Sequence, residues 1–168
     1  HLLRRGDRAP FVFGFLAFAR VDQASAQTNT FMLLPAIKGS SVDRNHRDWI
    51  DVVSLSQSLQ TTGTGPGAGQ PQRRAVCSIE IMKGLDIAGP LIWGAAVRGQ
   101  VFGVVQIDVS TPGSEPQVFY QVKLFNAIID SISTVVNGGY VEKVVLSAGS
   151  VQLTYAPTGI DGSLRAPI

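Results

Sequence analysis

The sequence predicts a mainly β domain: a small antiparallel β-barrel or two-sheet sandwich with one short flanking α-helix. Three observations carry that prediction. After residue 27, apolar residues recur at every second position almost throughout, the spacing of half-buried strands. Gly (18) and Pro (9) are plentiful in the 168 residues and cluster between those stretches, where strands turn. A single segment, around Trp93, lacks the alternation and holds helix formers instead. The length suits one domain with chain enough for a real core, and the 45% apolar content excludes a disordered chain.

The elements follow in order. Thr30–Ile37 reads as the first strand. Ile50–Leu59 reads as a second, with a slip of phase at Val52-Val53 that predicts a bulge. Ala75–Lys83 is a third, and its alternation Ala75, Cys77, Ile79, Ile81 marks the lone cysteine as a small core residue. Leu91–Arg98 reads as the helix: Gly89 caps it, Pro90 suits its first turn and Gly99 suits the position past its end. Val101, Gly103, Val105, Ile107 and Val109 line one face of a fourth strand, and Thr111–Ser114 is a turn. Val118–Ile129 is a long fifth strand that Ser131–Val136 extends. Asn137-Gly138-Gly139 signals a hairpin, and Val141–Ala148 and Val151–Ala156 complete the set.

The fifth strand is apolar on both faces: Val118, Tyr120, Val122, Leu124 and Ile128 on one, Phe119, Phe125, Ala127 and Ile129 on the other. An antiparallel strand ordinarily keeps one face wet, so two dry faces predict either the helix or another subunit on the outside. Phe119 and Phe125 are therefore interface candidates. Trp49, placed before a strand and beside a polar loop, is a third, because Trp is enriched at the centres of interfaces.

Charge divides the chain. Residues 1–26 carry Arg4, Arg5, Arg8 and Arg20 against Asp7 and Asp22, while residues 27–168 balance ten basic against ten acidic residues. A neutral body is unsuited to nucleic acid, which requires a phosphate-neutralising surface. The leading segment has a basic start, the apolar run Phe11–Ala19 and an Ala24-Ser25-Ala26 exit. This is the pattern of a secretory signal peptide cleaved after Ala26, leaving 27–168 as the domain. The run is too short to span a membrane, so no stable insertion is expected.

Two loops stand out. In Gly39–Asp48, His46 lies between Asp43 and Asp48 with Ser54 and Ser56 nearby, but no nucleophile elbow is present and a contact to backbone is the simpler role. The same loop lacks the glycine and closing Glu of a calcium site, and one His does not make a zinc site. Thr61–Arg74 holds four Gly, two Pro and two Arg, the composition of a long exposed excursion; it lacks the Lys-Ser/Thr of a phosphate loop. No catalytic residue, metal or cofactor is expected.

Taken together, Phe31–Ser41, then Asp43, His46 and Ile50–Ser56, resemble the opening of the Hcp family, the haemolysin-coregulated proteins of the type VI secretion inner tube. Ile79–Lys83 with Asp86 resembles that family's strand leading into its helix. Val118–Leu124 resembles the strand after the turn, and Val144–Leu146 through Val151–Tyr155 the C-terminal hairpin. The resemblance covers about residues 30–162.

The resemblance implies a non-enzymatic structural subunit that assembles with itself into hexameric rings. The rings stack into a tube whose lumen carries small effector proteins. The loop residues Gly63, Gly65, Pro66, Gly67, Gly69, Arg73 and Arg74 would reach the adjacent ring or neighbouring subunit. Secretion is implied by either route, through the type VI machine or through the leader. The leader itself departs from the family pattern, and it raises an alternative: an exported Hcp-like protein that forms tubes or filaments without a contractile machine, or a secreted carrier or binding module.

Overall fold

The structure is a computed structural model that describes residues 28–62, 74–136, 139–157 and 164–168. The predicted signal peptide, the hairpin residues Asn137-Gly138 and the loop residues Gly63, Gly65, Pro66, Gly67, Gly69 and Arg73 lie outside the described residues. Among the described residues, eight strands and one helix follow in the order β1 (Asn29–Leu33), β2 (Ile50–Val52), β3 (Ser54–Thr62), β4 (Arg74–Gly84), α1 (Gly89–Val97), β5 (Phe102–Ser110), β6 (Val118–Val136), β7 (Tyr140–Ser147) and β8 (Ser150–Tyr155). All pairings are antiparallel. The strand path runs β2-β1-β5-β6-β7-β4-β3, with β8 also on β6, so the sheet stays open rather than closing into a barrel.

Two bends fold this sheet around one core. The predicted slip at Val52-Val53 is the first. Val53 separates β2, which pairs with β1, from β3, which pairs with β4, and its N–H donates to the Met82 carbonyl at 2.7 Å. The second lies in β6. β7 and β8 run along β6 as one long hairpin: Ile129↔Leu146, Ile128↔Ser147, Phe125↔Ser150 and Tyr120↔Tyr155 keep one register across the break at Ala148-Gly149, and a bulge at Asp130 shifts it by one beyond, where Ser131 meets Val145. Opposite that interruption Asn126 has φ 52, a left-handed conformation that Asn tolerates better than most residues. The N-terminal half of β6 has β5 on its other edge, and β4 joins the far side of β7.

The bend at Asn126 corrects the reading of two dry faces. Val122 and Leu124 are buried before it and Ala127 and Ile129 after it, because the left-handed residue moves the inward face by one position. β6 therefore has one core face that changes parity. Ile128 is exposed, and Phe119 and Phe125 are half-buried.

Three smaller differences have local causes. The first strand stops at Leu33, because Pro35 and Ala36 (φ 65) form a turn closed by the Ile37 N–H on the Leu34 carbonyl at 3.1 Å. Val101 precedes β5 and is exposed, while Phe102 is buried. The helix cap is Ala88 rather than Gly89, which is the first helical residue; Gly99 takes the expected positive φ of 59. Helix α1 packs on β6 and buries Ile92 and Ala95, and the core joins side chains from β1, β2, β4, β5, β6, β7 and α1. No helix among the described residues is long and apolar enough to cross a membrane.

Candidate assembly surface

The β3–β4 hairpin outruns the sheet that supports it. β4 pairs with β7 from Gly84 back to Ser78 and no further. The remaining pairs, Leu59↔Cys77, Gln60↔Val76, Thr61↔Ala75 and Thr62↔Arg74, form a two-stranded arm with no third strand among the described residues. Arg74, expected in the loop, is thus the first residue of β4. The inner face of the arm continues the core outward. Ile81 and Ile79 are fully buried, Cys77 is half-buried, and Ala75 and Leu59 are exposed.

Between that face and β8 lies an open cleft of about 510 Å³. Leu59, Cys77, Ile79, Val151 and Leu153 line it, and among the described residues no charged side chain does. Leu59 is 67% exposed and Leu153 54%. The outer edge of β3 is free among the described residues, whereas that of β8 is met at Tyr155 by the backbone of Ile168; a free edge invites pairing with another chain. A two-stranded ribbon with an uncovered apolar face is also marginal on its own.

A second apolar region surrounds α1. The helix is apolar on all sides, as buried helices are, yet Leu91, Trp93 and Val97 face outward beside exposed Leu85 and Ile87. Trp93 is 42% exposed.

Trp49 has a different setting. Outward-facing residues of neighbouring strands form a row: Asp51 on β2, Phe31 on β1, Asp108 on β5 and Gln121 on β6. The segment Gly39–Trp49 lies over this row and inserts His46 into it. The imidazole stacks on Phe31 (centroids 4.3 Å apart, 8° between planes) and meets Trp49 edge-on at 4.8 Å. Its Nδ1 is 2.9 Å from Asp43 Oδ1 and its Nε2 is 3.1 Å from Asp108 Oδ2. Asp108 also accepts from Gln106 and Gln121. Gly39 allows the segment to close, because a Cβ there would stand 2.2 Å from the Trp49 carbonyl oxygen. Burial raises the Asp43 carboxyl. The hydrogen bond from the His46 ring, the N–H groups of Asn45 and His46 and the His46 charge outweigh it, and the carboxyl sits below its ordinary value of 3.8. With both nitrogens on carboxylates and the ring buried, His46 anchors a loop through side chains rather than the backbone contact that the sequence suggested.

Sequence reasoning missed one further polar group. Lys83, fully buried, donates to Glu142 Oε2 (2.6 Å), Asp86 Oδ1 (2.7 Å) and the Gly84 carbonyl (2.8 Å). Glu142 rests against Gly89 at the start of α1, the end of a helix that favours an anion. The Lys83/Asp86 spacing of three residues was visible in the sequence, whereas nothing local pointed to Glu142.

The comparisons with known proteins agree on the fold and the family. The family model described as type VI secretion system effector, Hcp, matches residues 31–155. Protein Hcp1 of Pseudomonas aeruginosa is 29% identical over 139 residues, which cover 79% of this chain and 86% of that protein. The crystal structure of Hcp1 from Salmonella typhimurium superposes with a TM-score of 0.67 at 18% identity, covering 82% of this chain and 91% of that one. Another structure, of a type six secretion system protein, superposes with a TM-score of 0.74 at 21% identity, covering 84% of this chain and 92% of that one. The chain belongs to the Hcp family of type VI secretion proteins.

Proposed function

We propose that this protein is a tube subunit: it assembles with copies of itself into hexameric rings, and the rings stack into a tube that leaves the cell through type VI secretion. The observation that carries this reading is the arm. Its apolar inner face and its edges, unpaired among the described residues, with the cleft lined by Leu59, Cys77, Val151 and Leu153 below, are surfaces that a second copy would cover. The loop that connects Thr62 to Arg74, with Gly63, Gly65, Pro66, Gly67, Gly69 and Arg73, then extends the arm towards the adjacent ring. Trp49, Phe119 and Phe125, each half-buried, are the further side chains proposed to meet a neighbouring copy. Small effector proteins would travel in the lumen.

The test is negative-stain microscopy with light scattering on the full chain. Rings and stacked tubes are expected, and a monodisperse monomer overturns the reading. Leu59→Asp places a charge on the arm and should shift the population from rings to monomer with the fold intact by circular dichroism. Deleting Gly63–Gly69 should leave rings but shorten the tubes. Unchanged tube length would remove the loop from the stacking contact.

A further inference from the structure

We infer that His46 is a proton-operated latch, which holds the segment Gly39–Trp49 on the sheet by two anchors when the ring is protonated and by one when it is neutral. The inference rests on the inventory of donors. Asp43 Oδ1 accepts from the N–H groups of Asn45 (2.9 Å) and His46 (3.0 Å) as well as facing Nδ1. Asp108 accepts from Gln106 on one oxygen at 3.0 Å and on the other at 3.2 Å, and from Gln121 at 2.9 Å. Both carboxyls are therefore surrounded by donors and act here as acceptors. Two carboxyls that act as acceptors offer no proton to the ring. A neutral imidazole has one N–H and one lone pair, so one nitrogen would then face a carboxylate without a hydrogen between them. Only the imidazolium satisfies both contacts.

The surroundings make the ring the controlling group. Among the described residues, the charged groups that face it are Asp43 from its own segment and Asp108 from β5; β6 presents Gln121, β1 presents Phe31, and Trp49 closes the edge. Asp51 on β2, Arg44, Arg47 and the Lys38–Asp48 pair (3.4 Å) are exposed. The ring is shielded from water, so a lost anchor is not replaced by solvent. Backbone bonds that the latch keeps in place are Gly39 N–H to the Asp48 carbonyl (2.8 Å) and Asp48 N–H to the Ser41 carbonyl (3.0 Å). They report the state of the segment.

Two measurements on the full chain test the latch. Nitrogen-15 NMR of the histidine rings is followed from about pH 5 to about pH 9, with His46→Gln assigning the signal. The expected result is a His46 ring with both nitrogens protonated at the acid end. A single protonated nitrogen there overturns the proposal. Amide exchange protection of Gly39 and Asp48 is then compared with that of β5 across the same range. Protection of the two segment amides should fall by roughly tenfold as the ring becomes neutral, while β5 stays constant. In Asp108→Asn, which keeps the shape but not the charge, the fall should move to lower pH. Segment protection that tracks β5 at every pH, or is unmoved in Asp108→Asn, overturns the latch and leaves ring assembly untouched.

Discussion

Lys83→Met would remove the cation from beneath α1 and leave its partners in place. All three ammonium protons of Lys83 are used, on Glu142, Asp86 and the Gly84 carbonyl. The methionine is apolar and similar in length, so the packing change is small and the loss is electrostatic. Glu142 would remain with a side chain 3% exposed and Asp86 with one 14% exposed, two carboxylates near each other with no counter-ion. Breaking a buried pair from one side costs about 3–5 kcal/mol, a large part of a typical domain's total of about 5–15 kcal/mol. Urea unfolding followed by fluorescence of Trp49 and Trp93 measures it. At a slope of about 2 kcal/mol per M, the midpoint should fall by roughly 2 M. The double variant Lys83→Met/Glu142→Leu should regain most of that loss, because no unpaired buried charge is left on β7 and Asp86 keeps its bond from the Ala88 N–H at 3.0 Å. A midpoint in Lys83→Met within about 0.2 M of the parent would refute the reasoning.

Further outcomes follow from close contacts and from one carboxyl. Gly39→Ala sets a Cβ against the Trp49 backbone, which cannot rotate aside, and should cost about 2–3 kcal/mol in urea unfolding. Gly89→Ala would ordinarily gain about 1 kcal/mol of helix propensity. Here its Cβ would lie 2.8 Å from Glu142 Oε2, and a net loss is expected because Glu142 cannot move without leaving Lys83. Because the Asp43 carboxyl lies below 3.8 in the folded chain, its contribution is fully present above that value and is lost as pH falls through the lowered one. Between about pH 6 and about pH 3, the parent should therefore lose more stability than Asp43→Asn, and equal slopes would contradict the assignment.

The strands were legible because each carries its own alternation, and the corner at Val53 was legible because two apolar residues in succession break that alternation. The parity change in β6 was not. Phe125-Asn126-Ala127 reads as two apolar faces unless Asn126 is known to be left-handed, and the opposing Gly149, whose N–H donates to the Phe125 carbonyl at 3.0 Å, lies in the break between β7 and β8, far along the chain. The polar networks escaped for a related reason. His46 and Asp43 are neighbours, but Asp108 is 62 positions from His46, and Glu142 is 59 from Lys83. Only the register β1–β5 and β4–β7 brings these partners within reach. The arm was hidden too: the composition of Thr61–Arg74 marked an excursion, but not that β3 and β4 leave the sheet together before it.

The long hairpin of β6, β7 and β8 also bears on the order in which the molecule forms. Its two sides are joined by residues 137–139, so its pairing is local and its closure entropy small. Strand β1 is the opposite case: Leu33 pairs with Gln106, 73 positions away. Local contacts form ahead of distant ones, so β1 docks last, onto a β5 whose other edge β6 already holds. Until it docks, the open edge of β5 accepts β1 from any copy, its own or another's. Refolding at high concentration should therefore trap strand-exchanged dimers, and slow dilution should not.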